Sequence, residues 1–295
     1  MNKKSSLIIS AFILLSSCYE DYVRDYDYDA VYFTYQTDVR TFVVGEGMSI
    51  KVGVALGGVL ENGRDRTVNY AVDNSLITDT KLSPLPPNFY NADNASKFTI
   101  KKGDHAGVVT IKADSAAFLS DAAVTLNANY ALALRITDAD ADTVPMSKNY
   151  TVIGLKYENM LFGHYWHGGQ TTVVDKNGQT IRTVDYFTTI PSPDVTVLNL
   201  TTVAPHSLVT NKISNGAGSF ILTLGANGTI TVSKAPGSSV DVRADGESFF
   251  NKAVKLQDRK IFLKYKYENS DGTVSHATDT LTFRNRIRDG VNEWQ

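Results

Sequence analysis

The sequence contains a single cysteine, Cys18, among its 295 residues. An intramolecular disulfide is therefore excluded, and the free energy of folding must come from an apolar core. Hydrophobic residues make up 42% of the chain and charged residues 20%, which is enough apolar material for such a core. The formal net charge is −2 and no dense cluster of Lys or Arg is present, so the sequence does not predict nucleic-acid binding.

Catalytic motifs are also absent from the sequence. It has no Gly-x-Ser-x-Gly motif, no phosphate-binding loop and no cysteine–histidine pair of the kind used in nucleophilic catalysis. Its acidic residues are scattered over turns, and no pair is marked as the acid and base of a glycosidase. His164 and His167 would point to opposite faces of a strand, which does not suit one metal ion. We therefore predict a protein that is not an enzyme and that uses no cofactor or metal.

The N-terminal stretch MNKKSSLIISAFILLSSCYED has the pattern of a secretory signal. Two lysines precede a hydrophobic run over residues 7–15, which is too short to cross a bilayer as a mature helix. Ser17 then precedes Cys18. This order resembles the bacterial lipoprotein box, which implies removal of residues 1–17 as a signal peptide and lipid attachment to Cys18. Two or more acyl chains would anchor the protein stably to a membrane.

Residues 18–29 form an acidic, tyrosine-rich tether in our interpretation. Glu20 and Asp21 follow the cysteine almost directly, and this placement resembles the surface-export signal of Bacteroidetes lipoproteins. The resemblance implies an outer-membrane protein that faces the cell exterior. A solvated tether without an export role is the alternative, and the two interpretations are compatible.

Residues 30–158 consist of short alternating runs separated by Gly, Asn and Asp. The alternation typical of half-buried strands occurs at 50–56, 98–100, 108–112, 130–136 and 151–157. One short helix is predicted over 115–124. The proline-rich stretch 84–94 predicts an exposed loop, because proline has no amide hydrogen to give a sheet. The strand spacing predicts an immunoglobulin-like β-sandwich.

Residues 159–295 repeat the strand pattern without a predicted helix. Strands are expected at 171–174, 179–189, 195–203, 219–224, 229–234, 260–267 and 274–286. Asn177-Gly178, Asn227-Gly228 and Asp271-Gly272 predict tight hairpin turns, because these residues accept positive φ angles. Sequential hairpins favour an antiparallel β-barrel, which removes exposed edges by closing on itself. A second sandwich is the alternative, and the fold class is all-β in either case.

Four segments carry a resemblance to a known family. YALALRITD at 130–138 and TVIGLK at 151–156 resemble the β-sandwich found ahead of some bacterial endo-β-N-acetylglucosaminidases. FGHYW at 162–166 and LTFRNRIR at 281–288 resemble a lipocalin-like barrel domain. The chain as a whole resembles the two-domain Bacteroidetes surface lipoproteins associated with Sus-type glycan utilisation systems. This resemblance implies a non-catalytic accessory that binds an oligosaccharide or polysaccharide, with a Sus-type transporter as partner.

Exposed aromatic rings are the candidates for sugar binding, because a flat ring can stack on the apolar face of a sugar. We single out Trp166, Tyr165 and Tyr186 in the second domain, and Trp294 near the end of the sequence. The alternative is that these rings fill the core. The second class of function is an adhesive or structural surface protein, or a barrel that binds an apolar ligand, and a barrel interior lined by aliphatic side chains would favour the apolar ligand.

Two further patterns yield predictions. Gly163-x-x-Trp166 on the first barrel strand, with Arg284 or Arg286 on the last, is similar to the lipocalin pairing of an early Trp with a late Arg. Because the first and last strands of a barrel are neighbours, we expect Trp166 or Tyr165 to be largely buried beside one of these arginines. Separately, Asp-Ser/Thr-apolar segments at Ser115 and Thr143 are similar to the O-glycosylation signal of Bacteroidetes envelope proteins.

Overall fold

The computed structural model of the chain describes residues 28–186 and 196–294. Within this part of the chain nearly all regular structure is β-strand, with two short helices, α1 (Ser115–Ser120) and α2 (Ala122–Thr125). The predicted all-β class is confirmed, and so is the helical segment at 115–124. Among the described residues no helix has the length and hydrophobicity needed to span a membrane.

The strands are numbered in chain order. Those of the N-terminal part are β1 (Ala30–Tyr32), β2 (Thr37–Val44), β3 (Ser49–Gly57), β4 (Arg66–Val72), β5 (Ser83–Pro84), β6 (Tyr90–Ala92), β7 (Lys97–Ile100), β8 (Ala106–Ala113), β9 (Tyr130–Ala139) and β10 (Tyr150–Asn159). Those of the C-terminal part are β11 (Gly163–Val174), β12 (Thr180–Tyr186), β13 (Thr196–Ala204), β14 (Ser207–Thr210), β15 (Lys212–Ile213), β16 (Gly216–Ala217), β17 (Phe220–Leu224), β18 (Thr229–Lys234), β19 (Arg243–Ala244), β20 (Ser248–Phe250), β21 (Lys260–Glu268), β22 (Val274–Arg288) and β23 (Val291–Glu293). Short 3-10 turns lie at Asn74–Leu76, Pro87–Phe89, Met146–Lys148, Ala226–Gly228 and Leu256–Asp258.

The described residues divide into two compact units. The first unit holds residues 28–38, 49–114 and 130–154. The second unit holds residues 39–48, 115–129, 155–186 and 196–294. The turn after β2, which contains Glu46, therefore belongs to the second unit together with the barrel strands.

Two sheets carry the N-terminal strands, in the orders β1-β3-β8-β6 and β2-β10-β9-β4-β7. On β3 the apolar residues at alternate positions are buried, as the period of two predicts, and Ile50 lies opposite Ile111 of β8. Phe98 contacts Phe33 edge-on, with ring centroids 5.9 Å apart. These paired sheets and their apolar faces confirm the predicted sandwich.

The proline-rich stretch at 84–94 is less exposed than predicted. Ser83–Pro84 pairs in parallel with β9, and Tyr90–Ala92 pairs with β8. The Leu85 amide donates a hydrogen bond to the carbonyl oxygen of Ala131 at 2.8 Å, and the Leu85 side chain is buried. The prediction of a wholly exposed loop was wrong, because a proline in a short edge segment leaves the neighbouring amide free to pair.

Eight described strands of the second unit close into an antiparallel barrel. Their order is β11-β13-β14-β17-β18-β20-β21-β22, and β22 pairs back onto β11 along nearly its whole length. The predicted hairpins are confirmed, and Gly178, Asn227, Gly228 and Gly272 have φ angles of 78°, 60°, 80° and 79°. The expected tight primed turns were wrong at Asn177 and Asp271, which lack a positive φ, because pairing ends at Val174–Thr180 and Glu268–Val274 and the connections are longer than two residues. The predicted barrel is confirmed as well.

A continuous cluster of buried side chains occupies the barrel interior. Tyr165 contacts Phe283 edge-on at 5.6 Å, and Phe220 contacts Tyr265 at 4.8 Å between ring centroids. The other buried members of the cluster are Leu161, Leu198, Leu200, Leu208, Ile213, Leu222, Ile230, Val232, Val242, Phe250, Leu256, Ile261, Leu263, Ala277 and Leu281. The interior of the described barrel is thus packed with side chains.

Candidate functional site

Tyr165 belongs to the core of the barrel. Its side chain is 0% exposed, and its hydroxyl donates a hydrogen bond to the Leu161 carbonyl oxygen at 2.9 Å. Burial raises the pKa of this phenol, so it remains protonated. With no exposed ring face, Tyr165 has no surface on which a sugar could stack, and this part of the aromatic prediction is wrong.

Trp166 lies on the opposite face of β11 and is half-buried. The guanidinium carbon of Arg284 lies 4.9 Å from the centroid of its ring, in cation–π geometry. This contact confirms the expected pairing of an early aromatic residue with a late arginine. The two residues meet because β11 and β22 are neighbours in the closed barrel. The arginine covers one face of the ring, so Trp166 is a packing residue in this arrangement.

Tyr186 belongs to a polar cluster within the barrel. Asp279, which is 1% exposed, accepts hydrogen bonds from the Tyr186 hydroxyl and from the Tyr265 hydroxyl, the latter at 2.7 Å. His167 Nε2 lies 2.9 Å from the same carboxylate, and the His167 side chain is fully buried. Three hydrogen-bonding groups thus compensate the burial of one carboxylate.

Hydroxyl groups complete this polar cluster. The Ser214 amide donates to the Tyr265 hydroxyl at 2.6 Å, and Thr171 Oγ1 lies 3.1 Å from the Tyr186 hydroxyl. Burial and the charge of Asp279 raise the pKa of both tyrosines. The phenols therefore act as hydrogen-bond donors that hold β11, β12, β21 and β22 together.

The two histidines of β11 lie as the sequence predicts. His167 faces the polar cluster, whereas His164 alternates to the other side of the strand. Across residues 28–186 and 196–294, no three His, Cys, Asp or Glu side chains are grouped closely enough to hold a metal ion.

The two candidate glycosylation sites differ in exposure. Ser115 is exposed at the first residue of α1. Thr143 is half-buried, and its amide donates to the Asp29 carbonyl oxygen at 3.1 Å. Cys18, Glu20 and Asp21, which carry the lipid-attachment and export predictions, lie outside the described residues.

An open groove in the second unit is the strongest candidate site. It has a volume of about 1180 Å³ and is formed by the β2–β3 turn, the segment between β20 and β21, and the β22–β23 hairpin. Trp294 is 53% exposed and Val254 is 89% exposed. The groove is lined by Gly45, Glu46, Met160, Lys252, Ala253, Val254, Lys255, Leu256, Gln257, Arg259, Arg286, Arg288, Asn292, Glu293 and Trp294.

The floor of the groove is a buried ionic network. Nη1 and Nη2 of Arg286 donate to Oε1 and Oε2 of Glu46, at 3.0 and 2.8 Å. Arg259 Nη1 lies 2.8 Å from Glu46 Oε1. Arg286 is 4% exposed and Arg259 is 2% exposed. Burial alone would raise the pKa of Glu46, but the bonds and charges of Arg286 and then Arg259 outweigh it and lower that pKa.

A short hairpin carries Trp294 to the groove. Asp289 and Gly290 form its turn with φ angles of 51° and 78°, and Thr41 Oγ1 donates to Asp289 at 2.6 Å. Glu293 lies opposite Arg286 in the β22–β23 register and accepts from Arg288 Nε at 3.0 Å. The residue directly before Trp294 is therefore fixed by two arginines.

The facing wall is held by two side chains. Asn251 Nδ2 donates to the Asp258 carbonyl oxygen at 2.8 Å, and Asn251 Oδ1 accepts from the Lys260 amide at 3.1 Å. Arg259 donates to the Met160 carbonyl oxygen at 2.6 Å and to the Ala253 carbonyl oxygen at 3.3 Å. The wall is therefore pre-formed, as ligand sites commonly are.

Comparison with known proteins agrees with this architecture. A family model described as "-like, N-terminal domain" matches residues 26–143. A crystal structure of a Bacteroides ovatus protein of unknown function is 21% identical, with a TM-score of 0.66 over 88% of this chain and 95% of its own. The chain shares its fold with that protein. Both matches agree with a two-domain organisation of the chain.

Two other solved structures are more distant. A second Bacteroides ovatus protein of unknown function is 13% identical over 91% of this chain and 100% of its own, with a TM-score of 0.41. A Bacteroides ovatus multidomain protein that includes DUF1735 is 11% identical over the same shares, also with a TM-score of 0.41. No curated protein is similar enough to match the chain.

Proposed function

We propose that the protein is a non-catalytic lipoprotein of the outer membrane that binds glycan at the cell surface, and that the groove beside Trp294 holds the glycan. The observation that carries the proposal is the exposed indole of Trp294 at the rim of a concave site of about 1180 Å³. An aromatic face stacks on the C–H face of a sugar, and the neighbouring polar groups bond its hydroxyls.

The placement at the surface rests on the N-terminal sequence. Lipid attached at Cys18 would anchor the chain, and Glu20 and Asp21 would direct it to the cell exterior. The resemblance to Sus-associated lipoproteins supports a role as an accessory that passes glycan to a transporter. Stacking contributes on the order of 1 kcal/mol for each ring, so we expect weak binding. Weak binding suits this role, because the glycan must be released to the transporter.

The ionic network of the groove supports binding over cleavage. A glycosidase needs one protonated carboxyl group as a general acid beside an ionised one. Burial tends to raise the pKa of Glu46 and of Glu293, yet their arginine partners lower both. Glu158, whose pKa is raised by burial, lies outside the groove lining and binds Lys156 at 2.6 Å. The groove therefore presents two carboxylates and no acid.

The packed interior of the barrel favours the groove over the alternative of an apolar ligand. Tyr165, Leu281 and the rest of the core cluster occupy the described interior, and the polar cluster around Asp279 takes up more of it. An apolar ligand would have to displace these side chains, and displacing packed side chains is costly.

Affinity electrophoresis of the full-length protein in detergent tests the proposal. Gels containing acidic and neutral polysaccharides should retard the wild type, and Trp294→Ala should lose most of the retardation without a change in melting temperature. Phe249→Ala is the matched control, because Phe249 is 40% exposed and does not line the groove. Equal retardation of Trp294→Ala and wild type would contradict the assignment of the groove. New reducing ends would contradict a non-catalytic role.

A further inference from the structure

The groove carries a marked excess of positive charge. Five of its lining residues are Lys or Arg, and two are Glu. The chain as a whole has a formal net charge of −2. The excess is therefore local to this site, and a cationic concave surface concentrates anions.

The pairing of these charges shows which of them are available. Glu46 binds Arg286 and Arg259, and Glu293 binds Arg286 and Arg288. Two carboxylates are thus shared among three guanidinium groups. Arg288 is the most exposed of the three arginines, since 28% of its side chain is accessible.

Two lysines add to this excess from the other wall. Lys252 and Lys255 are exposed, and neither forms an ion pair with a described residue. Lys252 has a φ of 57°, a conformation uncommon for residues other than glycine, and the bonds of Asn251 fix this turn. The ammonium group of a lysine is a compact point charge on a flexible stem. Both lysines can therefore pair with anionic groups of a ligand.

We propose that the glycan is acidic: its carboxylate or sulfate groups pair with Lys252, Lys255 and Arg288, while one sugar ring stacks on Trp294. The inference rests on the proposed function and specifies its ligand class. A sugar acid matches both features of the groove, an aromatic surface and an excess of positive charge. Exposed ion pairs contribute modestly, so the preference is expected to be about tenfold and to weaken as salt rises.

Matched pairs of glycans test this ligand class. Isothermal titration of the full-length protein in detergent would compare oligogalacturonate with its methyl ester, sialyllactose with lactose, and a sulfated with an unsulfated glucan oligosaccharide. The acidic member of at least one pair should bind about tenfold more tightly. Lys252→Gln/Lys255→Gln should remove most of this difference by weakening binding of the acidic member, and should leave the affinity for the neutral member unchanged.

A control variant changes the same number of charges at a site away from the groove. Lys97→Gln/Lys112→Gln makes the same change in charge at exposed positions of β7 and β8, outside the groove, and should bind as wild type does. Equal affinity for both members of every pair would overturn the acidic preference and leave glycan binding intact. Failure to bind any member would overturn both proposals. Tighter binding of a single-stranded oligonucleotide than of any acidic sugar would overturn the ligand class as well.

Discussion

Arg286 on the last barrel strand holds both carboxylate oxygens of Glu46, at 3.0 and 2.8 Å. The two residues are 240 positions apart in the chain, and both are part of the groove. Because the pair is bidentate and largely buried, it fixes the geometry of the groove floor as well as its charge. The stability of the second unit and the shape of the groove therefore depend on the same contact.

Glu46→Gln should destabilise the protein in a pH-dependent way. The arginines hold the pKa of Glu46 below its ordinary value of 4.5, so its ionised form stabilises the fold above that pH. This stabilisation is lost as the pH falls through the lowered folded-state pKa. We expect the free energy of unfolding at pH 7 to fall by about 2–3 kcal/mol, less than for a fully buried pair.

Urea unfolding between pH 3 and pH 7 measures this effect, with Asp241→Asn as the control. Asp241 pairs with Arg243 at 2.6 Å, but both side chains are exposed, so the control should cost less than about 1 kcal/mol. Equal losses in the two variants, or the same difference from wild type at every pH, would contradict the role given to Glu46.

Tyr186→Phe should weaken the polar cluster of the barrel. The change removes one of the donors to the buried carboxylate of Asp279. A hydrogen bond to a charged group contributes about 1.5–3 kcal/mol, and we expect a loss in that range. Tyr35→Phe removes a hydroxyl from a side chain that is 68% exposed and should change the unfolding free energy little. If the two variants unfold at the same urea concentration, the cluster does not stabilise the barrel.

Cys18→Ala should abolish lipid attachment and leave both units folded. The expectation follows from the lipoprotein-like sequence before Cys18 and from the absence of any other cysteine in the chain. Metabolic labelling with a palmitate analogue, followed by membrane fractionation, gives the measurement. Equal labelling of variant and wild type would refute lipid attachment at this residue.

Replacing Glu20 and Asp21 together with Ala should retain lipid attachment but move the protein to the periplasmic side. Protease treatment of intact cells distinguishes the two orientations. The matched control is replacement of Asp25 and Asp27 with Ala, which removes the same charge farther along the tether. If protease cleaves the Glu20/Asp21 variant as readily as wild type, the two acids are part of a tether and do not act as an export signal.

Much of the fold was predictable because it depends on local patterns. Alternation identifies β3, and Asn-Gly and Asp-Gly pairs identify hairpins such as the one at Asn227 and Gly228. The same alternation marks β9 as a strand but predicts its burial wrongly, since residues 131–134 are all buried. The pairing of Trp166 with Arg284 was predictable because the first and last strands of a closed barrel are neighbours.

The groove could not be predicted in the same way. Glu46, Arg259 and Arg286 lie on segments far apart in the chain, and nothing in the local sequence marks them as partners. One local signal was available, since Asp289-Gly290 predicts the hairpin that brings Glu293 back to Arg286. The burial of Tyr165 could not be predicted either. A one-residue shift in the register of β11 would turn Tyr165 outward and Trp166 into the core.

The most direct test of the central claim uses the two tryptophans of the chain, Trp166 and Trp294, as reporters. Their indole N–H signals can be followed by NMR during titration of the full-length protein in detergent with the acidic and neutral glycans, and Trp294→Phe assigns the two signals. Binding in the groove predicts that the Trp294 signal shifts to saturation while the Trp166 signal, covered by Arg284, stays in place. A shift of Trp166 alone, or no shift of Trp294 with any of the glycans, would contradict glycan binding in this groove.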